Sequence, residues 1–202
     1  MTMKREVDFL YEIGTLRFIP RAWIQFLNAD FANLAEHTLR VTWIALMIAK
    51  YEGGDTGKIA KMALVHDITE SRASDVHYVT RLYVERKEEK ALEDMLEGVA
   101  FADEFKALWE EYEVRESLEA KIVKDADNLE VDLELQEQYA RGHKLRDDFY
   151  PMRKNAVYAH KLYTETAKKL FEQIYETNPH DWHVKGANRM SQGDWKLPEE
   201  QA

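Results

Sequence analysis

Residues 63–71 read Ala63-Leu64-Val65-His66-Asp67-Ile68-Thr69-Glu70-Ser71. The segment is apolar up to the histidine and turns polar directly after it, as a helix end does where it emerges from a core. Adjacent helical residues point about 100° apart, so His66 and Asp67 can share one metal ion only near such an end, where their rotamers converge. Taken alone, the dipeptide fits equally a core histidine beside an exposed acid. Glu70 stands four residues after His66, one turn further along the same face if helical geometry persists. A carboxylate there suits proton transfer with water beside a metal; the alternative is an exposed loop glutamate.

Upstream, Thr56 to about Ile68 forms the helix that ends in this pair, with Ile59, Ala60, Ala63 and Leu64 inward. Gly53-Gly54-Asp55 separates it from an earlier helix, which Asn33 caps and which runs to about Glu52. Val41, Ile44, Ala45 and Ile48 form the apolar stripe of that helix. His37 shares a face with Val41 and Ile44, so it points inward, as a satisfied core histidine also would. Residues 6–17 read as a short helix ended by Pro20, and residues 18–33 as a connection holding Arg21 and Trp23.

Downstream, a long charged helix is expected over Val79–Ala100, with Leu82, Leu92 and Leu96 as anchors and residues 85–90 as a solvated face. Its apolar residues fit either an intramolecular core or a dimer interface. Further helices are expected from Asp103, a candidate cap, to about Glu113, from about Ser117 to Gly142 and from about Met152 to Thr177. Within the 117–142 helix Asp127 lies between Val123 and Val131, and burying an acid there is costly unless it is paired or bound to metal. Asp125 neighbours Ile122 and Leu129, so periodicity leaves both acids open as inward groups, and both open as surface groups.

No alternating apolar run suggests a strand. The expectation is an all-α, single-domain bundle of about six or seven helices over residues 1–178, followed by a polar tail over 179–202 holding Trp182 and Trp195.

Composition agrees with a helical globule: 45% of the 202 residues are apolar, and Gly (8) and Pro (4) are scarce. There is no cysteine, which excludes disulfides, thiolate metal sites and a Cys nucleophile. Any metal must be held by His and carboxylates, a donor set compatible with Co, Mn, Ni, Mg, Fe or Zn. No apolar run approaches the roughly 20 residues that span a bilayer. The N-terminus lacks the apolar core of a signal peptide, so a cytoplasmic protein is expected. The net charge of −10 repels nucleic-acid polymers but leaves room for a small phosphorylated substrate.

Two segments imitate other sites. Gly53-Gly54-Asp55-Thr56-Gly57-Lys58 resembles a phosphate loop, but Glu52 and Ile59 stand where the pattern needs Gly and Ser/Thr. His180-Asp181-Trp182-His183 has metal-ligand types but lies in the polar tail. His77, His143 and His160 have no acid constellation and take no role.

Together, Glu36-His37, then Leu64-Val65-His66-Asp67-Ile68-Thr69-Glu70-Ser71, then Lys124-Asp125-Ala126-Asp127-Asn128-Leu129 resemble the HD superfamily of metal-dependent phosphohydrolases. Within it the chain is similar to the branch of the bacterial 5′-deoxynucleotidase and the small HD-domain-containing proteins of archaea and eukaryotes. The similarity covers roughly residues 6–140. It implies one divalent metal ion held by His37, His66, Asp67 and Asp127, with Asp127 rather than Asp125 as the match. It also implies Glu70 as the catalytic acid/base, Arg21 on the phosphate and Asp75 on the deoxyribose. Trp23 is implied as a further substrate contact, although it stands one residue further from Arg21 than the corresponding Trp of the bacterial enzyme. The implied activity is a 5′-deoxynucleotidase, and the implied assembly a homodimer. The rival expectations are an HD phosphohydrolase of another small phosphate ester and a non-catalytic metal-binding scaffold. Ser71 after Glu70, and the absence of Gly-His-rich and Gly-Tyr-Pro signatures, argue against the other chemistries of the superfamily.

Overall fold

The computed structural model describes residues 3–27 and 31–185, and among them no strand forms; Pro20 and Asn33 make a single antiparallel bridge. Helix α1 (Met3–Ile13) runs into a 3-10 turn (Gly14–Phe18), and after the one-turn helix α2 (Ile24–Leu27) the chain enters α3 (Leu34–Glu52). Asn33 starts α3 through a reciprocal box: its side chain accepts from the Glu36 amide while the Glu36 side chain accepts from the Asn33 amide, which satisfies two otherwise orphaned donors. Gly53, at φ 85°, ends α3 in the left-handed conformation, which costs glycine nothing. Asp55 then caps α4 (Thr56–Val65), accepting from the amides of Gly57 and Lys58. The glycine-rich stretch is therefore a helix stop followed by a helix start.

Helix α5 (Glu70–Ala73) is one turn, followed by a 3-10 turn (Thr80–Leu82), α6 (Glu88–Leu96) and α7 (Ala102–Val114). Helix α8 (Leu118–Ala140), capped by Ser117, is the longest and packs against α3, α4, α7 and α10. The chain closes with α9 (Leu145–Met152), a π-helical turn (Arg153–Tyr158), α10 (Glu165–Glu176) and the one-turn α11 (Asp181–Val184). The core is shared by Val41, Ile44 and Ile48 of α3, Ile59 and Met62 of α4, Ile122 and Leu129 of α8 and Phe171 of α10. Each such side chain contributes roughly 1.5–3 kcal/mol through burial. No helix among the described residues is long and apolar enough to cross a membrane.

The all-helical class is as expected, but there are more helical segments than the expected six or seven, because the short helices α2, α5, α9 and α11 form in stretches expected to be connections or tail, while two expected long helices are interrupted. Asp103, expected as a cap, lies inside the first turn of α7. The stretch 79–100 is not one helix. Leu92 and Leu96 are buried, whereas Leu82 is 77% exposed and gives no anchor. Arg86 is drawn to carboxylates on both sides of it, so residues 83–87 leave helical geometry and α6 starts only at Glu88. The stretch 152–177 breaks as well. Asp125 accepts from the amides of Tyr163 and Thr164 and from the Thr164 hydroxyl, and Thr164 then caps α10. Leu64, expected inward, is half exposed. Trp182 is exposed, and Trp195 lies outside the described residues.

A buried ion pair ties this C-terminal part to α8. Arg153 places Nε and Nη2 on the two oxygens of Asp132 at 2.8 and 2.6 Å, and Tyr175 donates its hydroxyl to Asp132 Oδ1 at 2.7 Å. Asp132 is fully buried and Arg153 nearly so. Removing one partner strands the other charge in the core, which costs about 3–5 kcal/mol. Asp132→Ala is expected to lower the unfolding free energy in urea by about that amount. A loss under about 1 kcal/mol would mean that water reaches the pair.

Candidate metal centre

Three elements converge on one point. His37 sits in the first turn of α3, His66 and Asp67 follow the end of α4, and Asp127 lies in the middle of α8. One ligand atom from each lies within 4.8 Å of the others. His37 Nε2 is 3.4 Å from Asp67 Oδ2 and 3.4 Å from Asp127 Oδ1, and His66 Nε2 is 3.2 Å from Asp67 Oδ2. The two Nε2 atoms are themselves only 3.4 Å apart.

The other ring nitrogens explain why. His37 Nδ1 is 2.7 Å from Glu130 Oε2, and His66 Nδ1 is 2.7 Å from the Ala63 carbonyl. Both oxygens accept, so both Nδ1 atoms carry the proton in the neutral rings, and the Nε2 lone pairs face each other and the two aspartates. Two lone pairs and two carboxylates gathered in a buried spot require a positive charge. Burial and the nearby Arg21 disfavour a charged His37, but Asp127, Asp67 and Glu130 outweigh them and raise its pKa well above the ordinary histidine value. The donor set of two imidazoles and two carboxylates fits a divalent ion of the borderline or hard kind.

Positive groups surround the cluster. Lys124 binds Asp127 Oδ2 at 2.6 Å, leaving Oδ1 for the centre. Arg21, nearly fully buried, lies 3.5 Å from Asp67 and 3.3 Å from Asp75 through Nη1, while its Nε has no partner. Asp75 Oδ2 also accepts from the Ala22 amide at 2.9 Å, which fixes its carboxylate beside Arg21. Glu70 is buried with one oxygen, Oε2, unpartnered. Burial first, and then the charges of Asp67 and Asp75, push its pKa up to about 9.

Two cavities open on the centre. One, of about 300 Å³, is lined almost wholly by polar groups including Asp67, Glu70, Arg86 and Tyr112. The other, of about 570 Å³, has Arg21, Asp75 and Asp127 at one end and Trp23, Phe26, Tyr78 and Phe149 as walls. Trp23 meets Phe149 edge to face with ring centroids 5.1 Å apart. It stands at the cavity and not among the four candidate donors. Asp125 is turned away toward Thr164, and His180 and His183 meet each other at the surface, away from the centre.

Sequence reasoning missed Glu130, Lys124, Tyr112 and Arg86. Glu130 was accessible in principle, since three residues after Asp127 on a helix is the same face. Arg86 carried no local signal, because it reaches the centre from an irregular segment.

A family model for the HD domain matches residues 13–178. Over 152 residues the chain is 30% identical to the 5′-deoxynucleotidase HDDC2 of Homo sapiens, covering 71% of this chain and 74% of that protein. The HDDC2 of Danio rerio is 29% identical over 141 residues, covering 67% and 70%. Among solved structures, a conserved hypothetical protein from Pyrococcus furiosus superposes with a TM-score of 0.71 at 27% identity, over 85% of this chain and 99% of that one. A predicted metal-dependent phosphohydrolase from Magnetospirillum magnetotacticum gives a TM-score of 0.61 at 24% identity, over 86% and 95%, which is a likeness of fold.

Glu130 holds the His37 ring through Nδ1 and would strengthen it as a ligand. Glu130→Ala is expected to weaken divalent-cation binding by about 10- to 100-fold, read by titration calorimetry with Mn on the chelator-treated protein. Unchanged affinity would remove Glu130 from the centre.

Proposed function

The chain belongs to the HD domain family, and from that premise we propose that it is a metal-dependent 5′-deoxynucleotidase, releasing phosphate from deoxyribonucleoside 5′-monophosphates. The observation that carries this reading is the juxtaposition of the four-donor cluster with Arg21, Glu70 and an aromatic-walled cavity. His37, His66, Asp67 and Asp127 would hold one divalent ion. Bound there, such an ion supplies Lewis acidity, drawing charge from a phosphoryl oxygen and acidifying water.

The remaining work falls to the chain's own groups. Arg21 offers the phosphate a planar fork of donors, and its buried Nε has no partner. Asp67 and Asp75 keep that guanidinium charged and aimed. Glu70 moves the proton: its free Oε2 accepts the proton that water loses as it attacks phosphorus, and returns it to the departing 5′ oxygen. A carboxyl held at high pKa by burial suits the returning half of that cycle, and positive charge gathered nearby suits the accepting half. Asp75 accepts from a sugar hydroxyl. Trp23, Phe26, Tyr78 and Phe149 give a nucleobase flat apolar walls, which favours a nucleotide over a bare sugar phosphate. The same reading has the enzyme working in the cytoplasm as a homodimer, which light scattering would detect as twice the chain mass.

Phosphate release from a panel of deoxy and ribo 5′-monophosphates and simple sugar phosphates, after chelation and readdition of Co, Mn, Mg, Ni or Zn, tests the reading. Expected are metal-restored release, faster for the deoxy series, and a loss of more than about 100-fold in Glu70→Ala and His66→Ala. Metal-dependent release from sugar phosphates alone would move the substrate to another small ester. A folded, metal-loaded protein that hydrolysed none of the panel would leave a metal-binding scaffold. Asp75→Ala is expected to narrow the deoxy-over-ribo ratio of kcat/KM; an unaltered ratio would take Asp75 out of sugar recognition.

A further inference from the structure

The proton-transfer group needs to be held still, and its own helix cannot do that. Glu70 is the first residue of the one-turn α5, and its side chain is buried with only one oxygen satisfied. That oxygen, Oε1, accepts from Arg86 Nη1 at 3.0 Å. Arg86 comes from the irregular segment before α6 and is itself held at two further points. Its Nη2 is 2.8 Å from Glu88 Oε1, and Nη1 reaches the Ser74 carbonyl at 3.3 Å. Ser74 presents that carbonyl from a left-handed backbone, φ 62° and ψ 150°, a conformation a non-glycine residue keeps only where its surroundings impose it. The Ser74 amide in turn donates to the Glu70 carbonyl. Glu70, Ser74 and Arg86 thus form a closed ring of hydrogen bonds, and the guanidinium in it is largely shielded from water.

From this geometry we infer that Arg86 is a positioning residue for the reaction, acting through Glu70: it pins Oε1 by a charge-assisted hydrogen bond and so leaves Oε2 as the oxygen turned to the reacting water and leaving group. The inference rests on the phosphohydrolase reading above. A neutral or mobile partner in place of Arg86 would let the carboxylate rotate, so that either oxygen, or neither, faced the substrate. A misplacement of this size at a proton-transfer group lowers the rate without altering how the phosphate is bound. Arg86 touches no ligating atom of the metal centre in the structure, and its partners are Glu70, Glu88 and a backbone carbonyl.

The test is a double-mutant cycle with rescue. Arg86→Ala is expected to lower kcat for a deoxynucleoside monophosphate by about 10- to 100-fold, with KM and divalent-cation affinity unchanged within about two-fold. Arg86→Lys, or millimolar guanidinium added to Arg86→Ala, is expected to restore part of the loss. In a Glu70→Ala background the Arg86→Ala change is expected to cost nothing further, because both act through one carboxylate. A crystal structure of Arg86→Ala supplies a readout independent of turnover: Glu70 is expected to leave its position or split between rotamers. Additive losses, a KM effect without a kcat effect, or Glu70 unmoved in that crystal structure would each overturn the inference. If the wild-type protein released no phosphate, the functional reading would fall, and the position of Glu70 in the variant would still decide whether Arg86 orients it.

Discussion

The structure turns on one electrostatic demand. α3, the end of α4 and α8 carry two histidines and three acids to one point of a helical core, with His37, His66 and Glu130 buried and Asp67 and Asp127 partly so. In a low-dielectric interior such a gathering stands only if positive charge is gathered with it. The fold meets part of that demand with Arg21 and Lys124 from the sides and Arg40 from behind Glu130. A divalent ion is the natural supplement at the centre. The rest of the architecture follows from holding these groups in register. The capping box at Asn33 fixes where α3 starts, and so where His37 stands. The Asp55 cap fixes the start of α4. The packing of α8 on both sets the height of Asp127.

The parts of this legible in the sequence were those governed by local rules. The cap at Asn33 coincides with the start of α3, and the expected starts near Thr56 and Ser117 with those of α4 and α8, because a short polar side chain before an apolar stripe satisfies orphan amides whatever the tertiary context. The stripe of Val41, Ile44, Ala45 and Ile48 is fully core because a helix with one apolar face has one way to bury it. The candidate metal residues could each be noticed, but no periodicity rule joins positions 37, 66 and 127. Their order and setting made sense only through a resemblance, and the structure then brings the four side chains together. For Asp125 and Asp127 helical spacing left two choices. The geometry separates them: one acid turns to the centre and the other to backbone amides at Thr164.

What stayed hidden was set by contacts distant in sequence. The segment 79–100 has the composition of a surface helix, and composition is all that local reasoning sees. Its first half is instead shaped by Arg86 reaching a carboxylate sixteen positions earlier. The interruption at residues 161–164 has the same kind of cause, since Asp125 draws two amides that helical continuation would have kept. In both places a buried charge recruited backbone or side chain from elsewhere and overrode propensity. Charged stretches are therefore where a helical reading is weakest: the same residues that solvate one helix can be conscripted by another.

The anchoring of α8 at Asp125 and Asp132 bears on the order in which the molecule can be built. These two buried acids flank Asp127 along the helix, and their partners, Tyr163, Thr164, Arg153 and Tyr175, all come from the last quarter of the chain. In a chain made from its N-terminus, α3, α4 and α8 emerge before those partners do. Until then α8 carries unpaired acids on the face that must later pack, and these oppose its docking. The helix bearing Asp127 reaches its final place only once Arg153, Tyr163, Thr164 and Tyr175 have docked on it, so the donor cluster is completed by a segment that contributes no donor of its own.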